Sequence, residues 1–177
     1  ETECREDKVK LYTGLYHALL GRGLASDVNG AYRRNDGSVG QLPMKEGTPL
    51  YNIYNTDAAW GAQWNLSQLW ILAYPEYMSE YISSHLQAYK DAGWLADGLA
   101  NNRYVSGVGT NLLSTIIAGA YECGIRDFDT KTAYEACLKN ELEGKNRPFG
   151  AGKVNTTEFV KYGYVPHQDA GEGYHET

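Results

Sequence analysis

From Ala58 to Pro75 the chain carries no charged residue, and no other stretch limits the fold as strongly. The run AAWGAQWNLSQLWILAYP is interrupted only by Gln63, Asn65, Ser67 and Gln68. At helical spacing, Ala59, Ala62, Leu66, Leu69 and Ala73 fall on one flank and Trp60, Trp64 and Ile71 on another. A helix that is apolar on every side belongs inside a fold. A membrane span is the weaker reading, because amides and a hydroxyl break the run and crossing takes about 20 mostly apolar residues. Thr56 or Asp57 can cap the start, and Pro75 ends it. Three of the four tryptophans lie here. Trp60 sits one turn from the N-terminal end, where a cavity mouth would be; Trp64 and Trp70 read as core.

The rest of the chain arranges itself around that helix. Residues 4–20 read as a helix with Val9, Tyr12, Tyr16 and Leu19 on one stripe, acids in the first turn, and Gly21 and Gly23 at the end. Residues 24–54 are irregular. Within them Asn35-Asp36-Gly37 lies between strand-like arms and predicts a small hairpin. Loops longer than about 12–15 residues are uncommon unless they cover a site or an interface, and this one is expected to do so. Asp27-Val28-Asn29-Gly30 lacks the further ligands of a calcium loop and reads as a turn. Residues 76–91 predict a helix with one wet face, and 93–106 a loop carrying Trp94, Asp97, Asn101 and Asn102. Residues 108–123 predict a second charge-poor helix, stopped by Gly124, and 130–142 a second amphipathic one. A long loop fills 143–171, with a further helix starting at the end.

The order is buried helix, wet-faced helix, buried helix, wet-faced helix. Successive helices joined by short turns pack antiparallel. The expected fold is all-α: part of an (α/α)6 toroid of inner and outer helical hairpins, with a small β-hairpin. It requires helices 58–73 and 108–123 to be more buried than 76–91 and 130–142.

Composition narrows the function. A net charge of −6 and a pI near 5.2, with no basic patch, disfavour nucleic acid. Fifteen tyrosines and four tryptophans against three phenylalanines suit wet, sugar-like ligands as well as half-buried helix faces. Cys4, Cys123 and Cys137 form no disulfide or zinc pattern; Cys123 and Cys137 read as core. His17 and His85 fall on helix faces, as packing residues. Asn65-Leu66-Ser67 matches the glycosylation tripeptide, by chance if it lies in a buried helix, and Asn155-Thr156-Thr157 matches it too. No signal peptide stands at the start, and the chain reads as a piece of something longer.

Several stretches resemble glycoside hydrolase family 92, the calcium-dependent, inverting exo-α-mannosidases. LYTGLYHALLGRGLASDVNGAY, residues 11–32, resembles the family's Y-x-x-L-Y-H and S-D-V-[ND]-G-x-Y run. Trp60 with Tyr74-Pro75-Glu76 resembles its inner helix. Gly93-Trp94-Leu95, Leu99-Ala100 and Asn102 resemble the loop that follows. AGAYECGI, Ala118 to Ile125, and Tyr162-Gly163-Tyr164-Val165-Pro166 match later motifs, in the right order. The departures are specific. The family's carboxylate after the tryptophan is Gly61, and its arginine three positions on is Trp64. Its M-I-G becomes Gly107-Val108-Gly109, and its S-V-S becomes Gly173-Tyr174-His175.

The resemblance implies hydrolysis of terminal α-mannosides of glycans with inversion, and Ca²⁺ gripping sugar hydroxyls through ligands outside this chain. Trp60 would form a pocket wall and Asn102 a rim contact. It implies a periplasmic or secreted setting. The family's T-E-G-N and G-D-E-D-x-G type motifs are absent, so residues 1–177 would be a single inactive fragment of the catalytic domain, prone to self-association. Asp57, Asp97 and Glu172 could converge on a cavity, but nothing marks any of them as catalytic. The reading from another class is a non-catalytic helical glycan-binding or scaffold domain, which the altered pocket positions favour.

Overall fold

The structure is a computed structural model that describes residues 4–56, 58–105 and 111–166. Helix α1 (Arg5–Leu19) precedes four short strands: β1 (Ala31–Arg33), β2 (Val39–Gln41), β3 (Met44–Lys45) and β4 (Thr48–Pro49). Helices α2 (Ala59–Gln63), α3 (Leu66–Ala73) and α4 (Pro75–Ala92) follow, then strands β5 (Gly98–Ala100) and β6 (Arg103–Val105). Helices α5 (Leu113–Glu122), α6 (Thr130–Leu142) and α7 (Thr156–Tyr162) complete the described order. Among the described residues the fold is mostly helical, with three two-stranded antiparallel ladders: β1–β2, β3–β4 and β5–β6.

The expected central helix is two helices. Asn65 breaks it with φ −156° and ψ −27°. Side chains capture the Gln63 carbonyl: Gln68 Nε2 donates to it at 3.0 Å and Ser67 Oγ at 3.4 Å. Such local side-chain bonds compete with the helical ladder. Asn65, expected inside a buried helix, is exposed at this break. Pro75 opens α4 at its first turn, where its missing N–H is no loss. Gly93 closes α4 in the left-handed conformation, φ 83°.

Helices α2 and α3 lie beside α5, and α4 lies beside α6, so paired helical hairpins are present, but the burial order that the toroid requires holds in the second pair alone. The burial order differs from expectation. In the second pair α5 buries Leu113, Ile116, Ile117 and Ala120, more of its length than α6 does. In the first pair the order is reversed. Helix α4 buries nine of its 18 residues, whereas α2 and α3 together bury Ala59, Ala62, Ser67 and Trp70. The cause is the segment 24–54, which wraps α4. Tyr51 Oη donates to Gln87 Oε1 (2.7 Å), and Asn52 Nδ2 to Glu80 (3.1 Å). Ser84 Oγ accepts from Tyr54 N (3.1 Å) and donates to Asn52 O (3.0 Å). Tyr32 Oη donates to Asp91 (2.8 Å) and accepts from Gln87 Nε2 (2.7 Å). The β1–β2 hairpin forms as expected around Asn35-Asp36-Gly37, and Asp27–Gly30 is a turn.

The main core joins α2–α6 through Trp70, Met78, Tyr81, Ile82, Leu86, Leu95, Leu113 and Ile116. Trp70 packs against the rings of Tyr77 (5.2 Å) and Tyr81 (5.1 Å), under the Arg22 guanidinium (5.5 Å). Trp64, expected in this core, is exposed, and so is Cys123; Cys137 is half-buried. Helix α1 has no buried residue: Val9, Tyr12, Tyr16 and Leu19 all face outward.

Two expected loops contain further structure. The β5–β6 ladder stands within 93–106, and α7 within 143–171. The helix expected at the C-terminal end lies outside the described residues.

Candidate functional site

The elements that carry the candidate site residues are joined where the start of α2 is stitched to the β5–β6 hairpin. Thr56 and Leu99 exchange main-chain bonds, Thr56 N to Leu99 O at 2.8 Å and Leu99 N to Thr56 O at 3.2 Å. Thr56 Oγ1 also accepts from Leu99 N (2.8 Å). Ala59 N donates to Asp97 O (2.7 Å), and Asn101 N to Asn55 Oδ1 (2.6 Å). The residue before Trp60 is therefore bonded to the loop that carries Asp97 and Asn102.

That loop is held from behind. The Leu95 carbonyl accepts from Gly152 N (2.9 Å), Asn111 Nδ2 (2.9 Å) and Asn140 Nδ2 (3.2 Å). Asn140 Oδ1 in turn accepts from Leu95 N (3.2 Å). Gly152 takes φ 65°, and a Cβ there would press on the Trp94 ring at 2.9 Å. Tyr104 Oη donates to Trp94 O (2.8 Å), and burial pushes its pKa well up, so the phenol stays protonated. Pinned on several sides, the hairpin holds its turn in a fixed place.

The turn itself is Asn101-Asn102, both left-handed at φ 47° and 57°. A two-residue loop with positive φ at both positions matches the twist of its strands, and asparagine tolerates it. Asn102 is expected as a rim contact. It is 0 % exposed, and neither its Oδ1 nor its Nδ2 has a hydrogen-bond partner. An unmet buried polar group costs about 1–3 kcal/mol, so such groups are rare without a reason.

Trp60 is 45 % exposed on the face of α2 opposite the buried Ala59 and Ala62. Trp64, 64 % exposed, meets it edge to face, with ring centroids 5.7 Å apart at 77°. Asp97 is 3 % exposed, and its N–H donates to Gly150 O (3.3 Å). Asp57, Glu172, Gly107–Gly109 and Gly173–His175 lie outside the described residues. His85 is fully buried in α4 against Tyr81 (4.9 Å), away from this junction in the chain's packing core; burial pushes its pKa down to about 3.

Two cavities lined by described residues lie elsewhere. One of 470 Å³ separates α5 from α6, lined by Ile117, Tyr121, Phe128, Tyr134 and Cys137. Another of 370 Å³ runs beside Tyr51, Glu76, Glu80 and Asp127. Neither is lined by Trp60, Asp97 or Asn102. Sequence reasoning missed the exposure of Trp64 and the burial of Asn102. The pair Asn101-Asn102, two residues suited to positive φ, was the available signal for the hairpin turn.

The profile described as the glycosyl hydrolase family 92 catalytic domain matches residues 1–177. Among solved structures, the chain is similar to the family GH92 α-mannosidase BT3965 of Bacteroides thetaiotaomicron, with a TM-score of 0.77 and 21 % identity, over 94 % of this chain and 21 % of that one. The same protein in complex with mannoimidazole gives a TM-score of 0.73 at 20 % identity, over 89 % and 19 %. The inverting mannosidase BT2199 of Bacteroides thetaiotaomicron VPI-5482 gives 0.69 at 24 % identity, over 88 % and 20 %. No curated protein matches the chain. The chain thus spans 19–21 % of the length of these structures, which share its fold. With a profile match over its whole length and its helices and hairpins laid out as in those structures, the chain belongs to glycosyl hydrolase family 92.

Proposed function

We propose that the chain is a single fragment of the catalytic domain of an α-mannosidase that hydrolyses terminal α-mannosides of glycans with inversion. Family membership supports this, and the observation that carries it to a site is the buried, unpartnered amide of Asn102 on the hairpin bonded to α2. A sugar hydroxyl can accept from Nδ2 and donate to Oδ1, meeting both groups at once. Trp60 forms the apolar wall beside it. The solved relative that binds mannoimidazole supports a glycan as partner. A periplasmic or secreted setting, where such glycans occur, goes with this reading.

Inversion takes two carboxyl groups about 6.5–9.5 Å apart, with a water on the far side of the sugar from the proton donor. The chain lacks the family's acid and base motifs, and a positioned proton donor supplies about 10²–10⁴-fold. The chain alone is therefore inactive in this reading. The family's Ca²⁺ was tested against the residues present. Among the described residues no group of three or more His, Cys, Asp or Glu is placed to hold a metal ion.

Helix α1, with its apolar stripe uncovered, adds an expectation of self-association, since large exposed apolar patches on a chain mark interaction surfaces. The test is an assay with aryl α-mannosides, with and without Ca²⁺, on the chain and on a longer polypeptide that includes the acid and base motifs. Turnover only in the longer form, reduced at least about tenfold in kcat/KM by Asn102→Ala, is the expected result. Calcium-dependent turnover by the chain alone, abolished by Asp97→Asn, would overturn it. Glycan binding by a full-length form that turns over nothing would favour the binding module.

A further inference from the structure

We propose that a groove along α4 binds a protonated amine carried on an aliphatic stem, the group that a lysine side chain or a free diamine presents. The 370 Å³ cavity beside Tyr51 continues into another of 330 Å³, and Leu50, Tyr51, Ser83 and Asp127 line both. Glu76 and Glu80, one turn apart, line the groove from α4, and Asp127 lines it from the turn that leads into α6. None of these three acids is ion-paired among the described residues; Glu80 accepts from the neutral Asn52 amide (3.1 Å). The lysine that lines the groove, Lys90, is held by Asp129 at 3.0 Å. Glu76 also lies in the first turn of α4, where the helix dipole favours an acid. That accounts for one carboxylate and not for three on one groove.

A hydroxyl in the same groove points to a ligand. Ser83 is 8 % exposed and lines both cavities. The neighbouring serines of α4 are satisfied: Ser79 Oγ donates to Asp127 O (2.8 Å) and Ser84 Oγ to Asn52 O (3.0 Å). Ser83 Oγ has no hydrogen-bond partner among the described residues. Hydroxyls this buried are seldom left so. An ammonium group has three N–H donors and no acceptor, so it can bond the Ser83 oxygen and a carboxylate at once while the other acids attract it from farther away. Leu50, Tyr51 and Ile125 offer the stem an apolar wall, so its carbons can lie down while the charge stays with the acids. A divalent cation fits less well. It takes about six or more oxygens, and among the described residues no group of three or more His, Cys, Asp or Glu is placed to hold one. Carboxylates of one sign in a cleft raise the local concentration of cations and repel anions.

Titration calorimetry on the chain tests this with two probes, cadaverine and the tripeptide acetyl-Gly-Lys-Gly-amide, at about 0.15 M salt. Pentanediol is the uncharged control. The expected result is saturable binding of at least one amine and none of the diol, and the tighter of the two amines tells a free diamine from a lysine side chain as the source. Glu76→Gln and Asp127→Asn should each weaken binding about three- to fivefold, and the double variant at least about tenfold. Ser83→Ala changes no charge and should weaken it about threefold or more. Far-UV circular dichroism and melting curves confirm that these variants fold. Equal weakening by Glu135→Gln, an exposed acid on α6 that lines neither cavity, would reduce the effect to diffuse attraction and overturn the proposal. An affinity unchanged in Ser83→Ala or in the double variant overturns it too, as does the lack of saturable binding of both amines.

Discussion

Helix α4 carries Glu76, Glu80, Lys90 and Asp91 and is the more buried element, while the stretch of α2, α3 and the break between them carries no charge and leaves two of its three tryptophans, Trp60 and Trp64, in the open. The difference shows what burial follows. It follows coverage by neighbours, not the count of charged residues. The segment 24–54 lays a hydrogen-bonded layer over α4, meeting Glu80, Ser84, Gln87 and Asp91 one by one. Polar side chains can be buried where each finds a partner. Helices α2 and α3 have core on one side only, so their second apolar flank stays exposed.

The sharpest way to break this comparison lies within the charge-free stretch itself. Trp70→Ala empties a site enclosed by Tyr77, Tyr81 and Arg22 and should cost about 3–5 kcal/mol in urea unfolding. A loss near zero would mean that α3 is as loosely covered as α2.

Next in size is the pH response of α4. The His85 ring is buried without a hydrogen-bond partner, and desolvation lowers its pKa from 6.5 to about 3. The unfolded chain binds a proton on this ring below about pH 6.5, and the folded chain does not until about pH 3. Stability from this group is therefore full above pH 6.5 and falls as the pH is lowered through that window, by about 1.4 kcal/mol per pH unit. His85→Leu should flatten that part of the pH–stability curve. An unchanged slope would place the ring in contact with water and α4 in a looser core.

Gly40→Ala tests the covering layer. A Cβ at Gly40 would overlap the Tyr32 ring, whose hydroxyl ties β1–β2 to Asp91 of α4. The expected cost is about 1–3 kcal/mol, with hydrogen exchange rising across 30–42 and in the last turns of α4. Exchange confined to the hairpin would show that α4 does not depend on its cover.

The smallest effect is expected at Trp64→Ala, under about 1 kcal/mol, since an exposed ring gives up little beyond its edge contact with Trp60. A large loss of stability there would return Trp64 to a structural role.

Much of this molecule was legible in its residues, for local reasons. The spans of α1, α4 and α6 follow from periodicity and from their stops: Gly21 after α1, Pro75 before α4 and Gly93 after it. The β1–β2 turn follows from Asn35-Asp36-Gly37, because backbone preference at a turn is settled within a few residues. The ordered motifs carried the family. The chain alone thus determined helix content, the hairpin and the kinship. The break at Gln63 is local too, made by Ser67 and Gln68. Only tertiary structure decided which apolar face is covered, that Trp64 faces out, and that Asn102 is sealed in. Those outcomes depend on contacts between residues far apart in sequence, such as Ala59 with Asp97 and Tyr32 with Asp91. A hydrophobic pattern states how much surface a helix would gain by burying; where that surface finds cover is set by the packing of every other segment.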